Sequence, residues 1–205
     1  SDLLYSAAYI MPAAFPRIRR KHRTHLQLID LMLTTNLAER IAEVDRMADA
    51  YRMIIDYPGI GPFLAYQLAT DLNYSNLLGF SEMDFVKAGP GAISGLSKCF
   101  LDAADFSAED LIRWTTDRQE EEFDRRGIEF QDLWGRPLQL IDCQNLFCEV
   151  DKYARVAHPE ITGSSGRSRI KQRFAPESSV ISVWFPPKWN LNHRLPSGHN
   201  VDSTA

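Results

Sequence analysis

The chain has 205 residues, of which 44% are hydrophobic and 24% are charged, a composition that suits a folded domain with a sizeable core and excludes wholesale disorder. No run approaches 18 apolar residues and no secretory signal is visible at the start, so we expect no membrane span and an intracellular protein. Three cysteines are too few for a disulfide framework and indicate a reducing compartment, cytoplasm or nucleus.

Charge is distributed unevenly along the chain. Residues 1–25 carry five basic residues and one acidic residue, and residues 151–205 carry eight basic and four acidic residues, so each end has a charge of +4. The net charge is -4, which leaves -12 for residues 26–150. Two basic ends on an acidic body indicate either a polyanionic partner or two solvated tails, and charge alone does not decide between them.

The first half of the chain predicts helices separated by a short turn. Apolar residues recur at helical spacing over residues 26–33 and again over 37–55, where Asn36 is expected to cap the second helix. The sequence Tyr-Pro-Gly-Ile-Gly-Pro at residues 57–62 ends this helix. The apolar sequence that follows it, FLAYQLATDL, predicts a short, largely buried helix.

The second half predicts two long helices and an irregular end. Ser81 and Asp84 form a pattern that starts helices, and the AGPGAISG sequence after them is expected to interrupt regular structure. A second such pattern at Ser107 predicts an amphipathic helix that ends at Gly127, and residues 137–157 predict another. From residue 160 the chain is basic and irregular, with VISVWF (180–185) as the one fair strand candidate.

The turn at residues 57–62 has the features of a phosphate-binding hairpin. Gly59 and Gly61 flank Ile60, which can pin the turn to the core, and Pro62 suits the first position of a helix. Bare N–H groups at a helix start attract phosphate oxygens. The segment resembles the helix-hairpin-helix element of the DNA glycosylase superfamily, with its pattern of roughly L-P-G-I-G-x-x-T-A. An ordinary helical hairpin with a glycine turn is the alternative.

The glycosylase resemblance also implies a catalytic carboxylate. Members of this superfamily place an aspartate about 20 residues beyond the hairpin, and Asp84 lies 23 positions after Gly61. The alternative is that Asp84 only completes a capping box. Bifunctional members carry a Schiff-base lysine where this chain has Phe63, so any base excision is expected to be monofunctional.

A longer resemblance covers most of residues 5–189. The sequences PGIGPFLAYQLATDLNYSNLLGFSEMDFVKAGPGAISGLSKCF, RQEEEF, GRPLQLIDCQNLFCEVDKYAR and FPPKW resemble the helical domain attached to 5-hydroxymethyluracil DNA kinases. Related proteins are DNA base hypermodification proteins and the α-glutamyl/putrescinyl-thymine pyrophosphorylases. The resemblance implies an all-α, helix-hairpin-helix DNA-glycosylase-like fold, and the N-terminal part usual in the family is expected to be missing. No G-x-x-x-x-G-K-[ST] phosphate loop occurs in the sequence, so no kinase module is expected within it.

The candidate site residues fall into two groups besides Asp84. Amide and carboxylate side chains at helical spacing, with one aromatic ring, form the predicted base pocket: Phe85, Asp142, Asn145 and Glu149. Glycines and cations form the predicted contact with the DNA backbone: Gly59, Gly61, Arg167, Arg169, Lys171 and Arg173. An internal salt-bridge network and a plain basic loop are the respective alternatives. Cys143 and Cys148 diverge on a helix, so we expect buried thiols and no metal site.

These observations predict a helical glycosylase-like domain over residues 1–160 and a basic C-terminal strap over 161–205. The expected function is DNA binding with action on an extruded 5-substituted pyrimidine, as a monofunctional modified-base glycosylase or a base-hypermodification enzyme, without a cofactor. The alternative is a non-catalytic helical module that presents DNA to a partner kinase or transferase.

Overall fold

Helices form nearly all of the regular structure. The computed structural model describes residues 12–15, 17, 20–170 and 183–195, and within them there is no β-strand beyond an isolated bridge between Leu133 and Arg136. The predicted all-α fold is therefore confirmed for the described part of the chain. The described residues form eight α-helices followed by two short 3-10 helices: α1 (Lys21–Thr34), α2 (Leu37–Ala42), α3 (Met47–Ile55), α4 (Pro62–Tyr74), α5 (Pro90–Cys99), α6 (Ala108–Asp117), α7 (Gln119–Arg126), α8 (Leu140–Ala157), then Pro187–Trp189 and Asn192–Arg194.

The predicted hairpin is formed by α3, the turn at residues 56–61 and α4, and the two helices pack against each other. Ile60 is buried, as expected of the side chain that pins the turn, and Pro62 occupies the first turn of α4. Gly59 has a φ of +75°, and a Cβ there would lie 2.6 Å from the Cα of Ala14. Glycine is therefore required at position 59 both by the left-handed backbone and by the close approach of the Ala14 backbone to the Cβ position.

The first predicted long helix is divided. Residues 37–55 form α2 and α3, because the chain leaves the helical path between them and Arg46 adopts an extended conformation with its side chain bonded to Asp49. Asn36 is left-handed, with a φ of 50°, and makes no capping hydrogen bond. The expected cap is therefore wrong, although a helix does begin at the next residue.

Three other boundaries differ from expectation. Ser81–Asp84 is a turn in which the Met83 N–H donates to Ser81 Oγ (3.2 Å), and no helix begins before Pro90. The Ser107–Asp110 capping box is present, but the helix it starts is divided at Arg118 into α6 and α7. α8 begins at Leu140, three residues later than predicted, with Gln139 as its N-cap.

The one predicted strand is not observed in the part of it that the structure describes. Residues 183–185 are not in a strand, and residues 180–182 lie outside the described residues.

All but the first two residues of the AGPGAISG sequence lie in helix α5, instead of interrupting regular structure, and the glycines within the helix explain why. A Cβ at Gly91 would lie 2.5 Å from Cys148 Sγ, and a Cβ at Gly95 would overlap the backbone carbonyl of Phe147. Glycine at these positions lets the axes of α5 and α8 approach closely, at a cost in helix propensity of about 1 kcal/mol each. This helix pair has the most extensive contact of any pair in the described structure.

A buried charge cluster joins the same two helices. Asp151 on α8 is fully buried and accepts from Ser94 Oγ (2.7 Å) and Lys98 Nζ (2.9 Å) of α5. Arg155 also pairs with Asp151, and it donates to the carbonyl of Arg169 (3.1 Å). The segment after α8 is thereby held against the helical body.

The described C-terminal residues 183–195 also contact the body. The guanidinium of Arg136 lies 3.9 Å from the centre of the Trp189 ring, and Tyr74 meets that ring edge-on at 5.4 Å. Neither contact tests the division at residue 160, which stays a prediction. Within the described residues, no helix is long and apolar enough to cross a membrane.

Candidate nucleic-acid interface

A cleft of about 900 Å³ opens beside the hairpin. Its walls come from the first turns of α4, residues 87–88, the start of α5, the first turn of α6 and the middle of α8, with Pro12 at one edge. Phe63, Leu64 and Ile93 give it apolar surface, and Gln67 and Asn145 contribute amides. An apolar cleft with a few polar groups is the usual form of a site for a flat organic ligand. The cleft therefore lies between the hairpin and α8, the helix that carries the predicted base-pocket residues Asp142, Asn145 and Glu149.

A second, smaller cavity of about 350 Å³ lies beside α7. Four carboxylates line it: Glu120, Asp124, Glu129 and Asp132. Carboxylates in such number repel phosphate groups, so this cavity does not fit a nucleic acid.

Each carboxylate of the larger cleft is paired with a lysine. Glu109 accepts from Lys87 Nζ (2.6 Å) and from the Ala88 N–H (3.1 Å). Burial acts to raise the pKa of Glu109, but these hydrogen bonds outweigh it and hold the pKa below its usual value. Glu149 pairs with Lys152 (2.5 Å), and this bond raises the pKa of the lysine. The four charged side chains that line the cleft thus form two ion pairs, which leaves its charge close to neutral.

A chain of hydrogen bonds connects the cleft to the buried interior. The Gly89 N–H donates to Gln144 Oε1 (3.1 Å), and Gln144 Nε2 donates to Asn145 Oδ1 (2.7 Å). Gln144 is fully buried, whereas Asn145 is exposed in the cleft. On α4, the Nε2 atom of Gln67 is buried without a hydrogen-bond partner in the described part of the chain.

The predicted base-pocket residues separate into two pairs. Asn145 and Glu149 line the cleft. Phe85 instead packs against Tyr51 and Tyr66, with ring centres 5.0 and 5.9 Å away, and does not line it. Asp142 is also outside the lining: it accepts from the Gln139 N–H (2.8 Å) and pairs with Arg136 (3.2 Å). Asp142 shares a helix face with the first pair, but at the start of α8 it completes the capping box with the N-cap residue Gln139.

Asp84 does not have the placement expected of a catalytic carboxylate. It lies on an exposed turn instead of a helix start, and it does not line the cleft. Arg113 donates to the carbonyls of Met83 (2.9 Å) and Asp84 (3.5 Å), which fixes the turn, while the Asp84 carboxylate has no hydrogen bond or ion pair within the described residues. A catalytic role for Asp84 stays a prediction, without a pocket around it.

The predicted backbone-binding residues are partly accessible. Gly59 and Gly61 are both exposed; a Cβ added at Gly61 would meet no described atom within 4 Å, whereas one at Gly59 would lie against the backbone of Ala14. Arg167 and Arg169 are exposed. Lys171 and Arg173 lie outside the described residues.

No group of three or more potential metal ligands occurs in the part of the chain that the structure describes. Cys143 is buried and Cys148 is half-buried at the cleft, and burial raises the pKa of both thiols. Four side chains at or behind the cleft were not predicted from the sequence: Gln67, Lys87, Glu109 and Gln144. Gln67 had one visible signal, since it is a polar residue within an otherwise apolar helical sequence.

The described residues thus form an all-α domain with a cleft suited to an organic ligand. A model of the family described as "5-hmdU DNA kinase, helical domain" matches residues 1–163, about four-fifths of the chain. The chain belongs to this family, which associates it with the modification of DNA bases. No curated protein and no solved structure gives a match.

Proposed function

We propose that this domain binds DNA and holds an extruded 5-substituted uracil in the cleft, as a non-catalytic module that presents the base to a kinase-type partner. The position of the cleft carries the proposal, since it opens directly at Gly61, where α4 begins. A base within a duplex is accessible to a pocket only after it leaves the stack. A cleft beside a phosphate-binding turn can hold the base while the turn holds the strand.

The start of α4 supports contact with the DNA backbone. The first N–H groups of a helix have no acceptor within the helix, and the helix dipole favours an anion there. Gly61 leaves this end open because it carries no side chain, is exposed, and has no atom of the described residues within 4 Å of its Cβ position. Arg167 and Arg169 add exposed positive charge on the segment held by Arg155.

DNA affinity is expected to fall steeply with salt. With about six phosphate contacts, the slope of log affinity against log salt concentration is roughly -5, or about a thousandfold loss between 50 and 200 mM salt. Gly61→Val is expected to weaken binding about tenfold, because its side chain blocks hydrogen bonds to a charged phosphate. The backbone at Gly61 is extended (φ -88°), so valine fits there without strain.

Fluorescence anisotropy with a duplex at several salt concentrations measures both effects. Gly79→Val is the matched control, since a Cβ at Gly79 also meets nothing within 4 Å and the residue does not line the cleft. A flat salt response contradicts DNA binding. If the Gly61 and Gly79 variants bind equally, the hairpin is only structural.

Base excision is the second candidate function, favoured by the presence of a carboxylate, Glu109, within the cleft. The ion pair between Glu109 and Lys87 favours the binding module, because the lysine already neutralises the negative charge of the Glu109 carboxylate. A single-turnover assay with duplexes that contain 5-hydroxymethyluracil distinguishes the two functions. If the domain only presents the base to a partner, no base is released. Release that Glu109→Gln slows 100-fold or more favours excision with Glu109, and release that only Asp84→Asn slows assigns the chemistry to Asp84. Because Phe63 stands where a Schiff-base lysine would be, we expect borohydride to trap no protein–DNA adduct in either case.

A further inference from the structure

The hydrogen bonds behind the cleft fix the orientation of one amide in it. A backbone N–H can only donate, so the Gly89 N–H identifies the Gln144 atom it contacts as the oxygen, and the other Gln144 atom is the nitrogen. That nitrogen can only donate, so the Asn145 atom it contacts is Oδ1 (2.7 Å). The Nδ2 group of Asn145 is therefore the one left for a ligand, and it has no acceptor among the described residues.

Gln67 provides a second unpaired donor at the same cleft. Its side chain lines the cleft without a hydrogen bond to any described residue, and its Nε2 atom is buried in the cleft wall, so the amide has to turn to present this donor to a ligand. A buried donor without an acceptor costs free energy, which a bound ligand with a carbonyl oxygen recovers. Two amide donors from two helices, α4 and α8, thus line a cleft whose other walls are largely apolar.

We propose that Asn145 Nδ2 and Gln67 Nε2 read the two exocyclic carbonyl oxygens of a uracil-type base, and that Gln144 is the positioning residue that holds Asn145 in the reading orientation. The inference rests on the proposed function and assigns base selectivity to three side chains. Uracil and thymine carry carbonyls at both C2 and C4. Cytosine carries an amino group at C4, so one of the two donors would face another donor.

The apolar walls fit the rest of such a base. Phe63, Leu64 and Ile93 contact its faces without reading its edge, which allows a substituent at C5. Gly89 adds to the rigidity of the arrangement, because a Cβ there would lie 2.5 Å from the Phe63 ring and 3.0 Å from Gln144 Oε1. The close contact between these three residues leaves Gln144 little freedom to turn.

Asn145→Asp tests the assignment by exchanging a donor for an acceptor. Aspartate still accepts from Gln144 Nε2 with one oxygen and turns the other toward the ligand. We expect wild-type protein to bind a duplex with 5-hydroxymethyluracil about tenfold tighter than one with 5-hydroxymethylcytosine, and Asn145→Asp to reverse this preference, since carboxylates accept from the cytosine amino group. Gln67→Leu removes one donor and is expected to reduce the preference. Gln144→Met is expected to bring the ratio of the two affinities close to one, because the Asn145 amide can then rotate.

The measurement is equilibrium binding to duplexes in which each base stands opposite an abasic analogue, so that no base pair must break before extrusion. Asn76→Asp, an exposed site outside the cleft, is the matched control for the added charge and should leave the selectivity unchanged. Wild-type protein that binds both bases no better than an abasic duplex contradicts the proposed function itself. A wild-type preference for the uracil base that survives in Asn145→Asp and Gln144→Met overturns the assignment of these residues and leaves the proposed function standing.

Discussion

Replacing Asp151 by asparagine is expected to lower the free energy of unfolding by about 3–5 kcal/mol, because two buried cations then lose their counter-charge. Lys98 and Arg155 are 4% and 8% exposed, and both contact the Asp151 carboxylate. Asparagine keeps the size of the side chain and can still bond to Ser94. The decrease in the free energy of unfolding therefore reports the lost charge more than a change in packing. Urea denaturation of both proteins at pH 7 gives the difference.

Glu149→Gln is the matched control on the same helix. Glu149 pairs with Lys152, but both side chains are largely exposed, and exposed pairs contribute about 0–1 kcal/mol. If Asp151→Asn costs no more than Glu149→Gln, the buried cluster does not hold α5 to α8.

The same cluster predicts a pH dependence of stability. Burial acts to raise the pKa of Asp151, but hydrogen bonds from Lys98, Ser94 and Arg155 hold the pKa below its ordinary value of 3.8. A carboxylate with a lowered pKa in the folded state stabilises it above the unfolded pKa, and this contribution is lost as the pH falls through the folded pKa. The difference between wild type and Asp151→Asn should therefore be constant above about pH 5 and shrink below 3.8.

Gly95→Ala is the second substitution with a large expected effect on stability. A methyl group at position 95 would overlap the Phe147 carbonyl, which is backbone and cannot rotate away. The two helices would have to separate, and overpacking of this kind costs about 3 kcal/mol, more than the roughly 1 kcal/mol that alanine gains in helix propensity. Thermal or urea unfolding measures the result.

Gly79→Ala serves as the control for Gly95→Ala, since no atom of the described residues lies within 4 Å of a Cβ at position 79. Equal stability of the two variants contradicts the close approach of α5 and α8. That approach matters for the cleft because α5 and α8 provide two of its walls.

Local sequence signals predicted the parts of the fold that depend on neighbouring residues. The two glycines and two prolines at residues 57–62 predicted the hairpin, and Ser107 with Asp110 predicted the start of α6. Glycine misled the prediction at α5, where Gly91 and Gly95 permit a contact with α8 instead of ending a helix. Contacts between residues more than 50 positions apart leave no signal in the local pattern.

The cleft, like the fold, was predicted where it depends on residues close in sequence and missed where it depends on distant ones. Asn145 and Glu149 were expected to line it because they share one face of α8. The bond from Gly89 to Gln144 joins residues 55 positions apart, so no local pattern indicates that Gln144 orients Asn145. Asp84 was placed at a helix start because a serine three residues before an aspartate is a common cap, but here the pair closes a turn outside the cleft.

The central claim is that the cleft takes up a base extruded from DNA. Its most direct test is the fluorescence of 2-aminopurine placed next to 5-hydroxymethyluracil in a duplex, because this fluorescence rises when its neighbour leaves the stack. We predict a rise on saturation with wild-type protein, and no rise with Ile93→Trp, which fills the cleft while the start of α4 still binds the backbone. A rise that persists in Ile93→Trp, or no rise with wild-type protein at saturating binding, would contradict the claim.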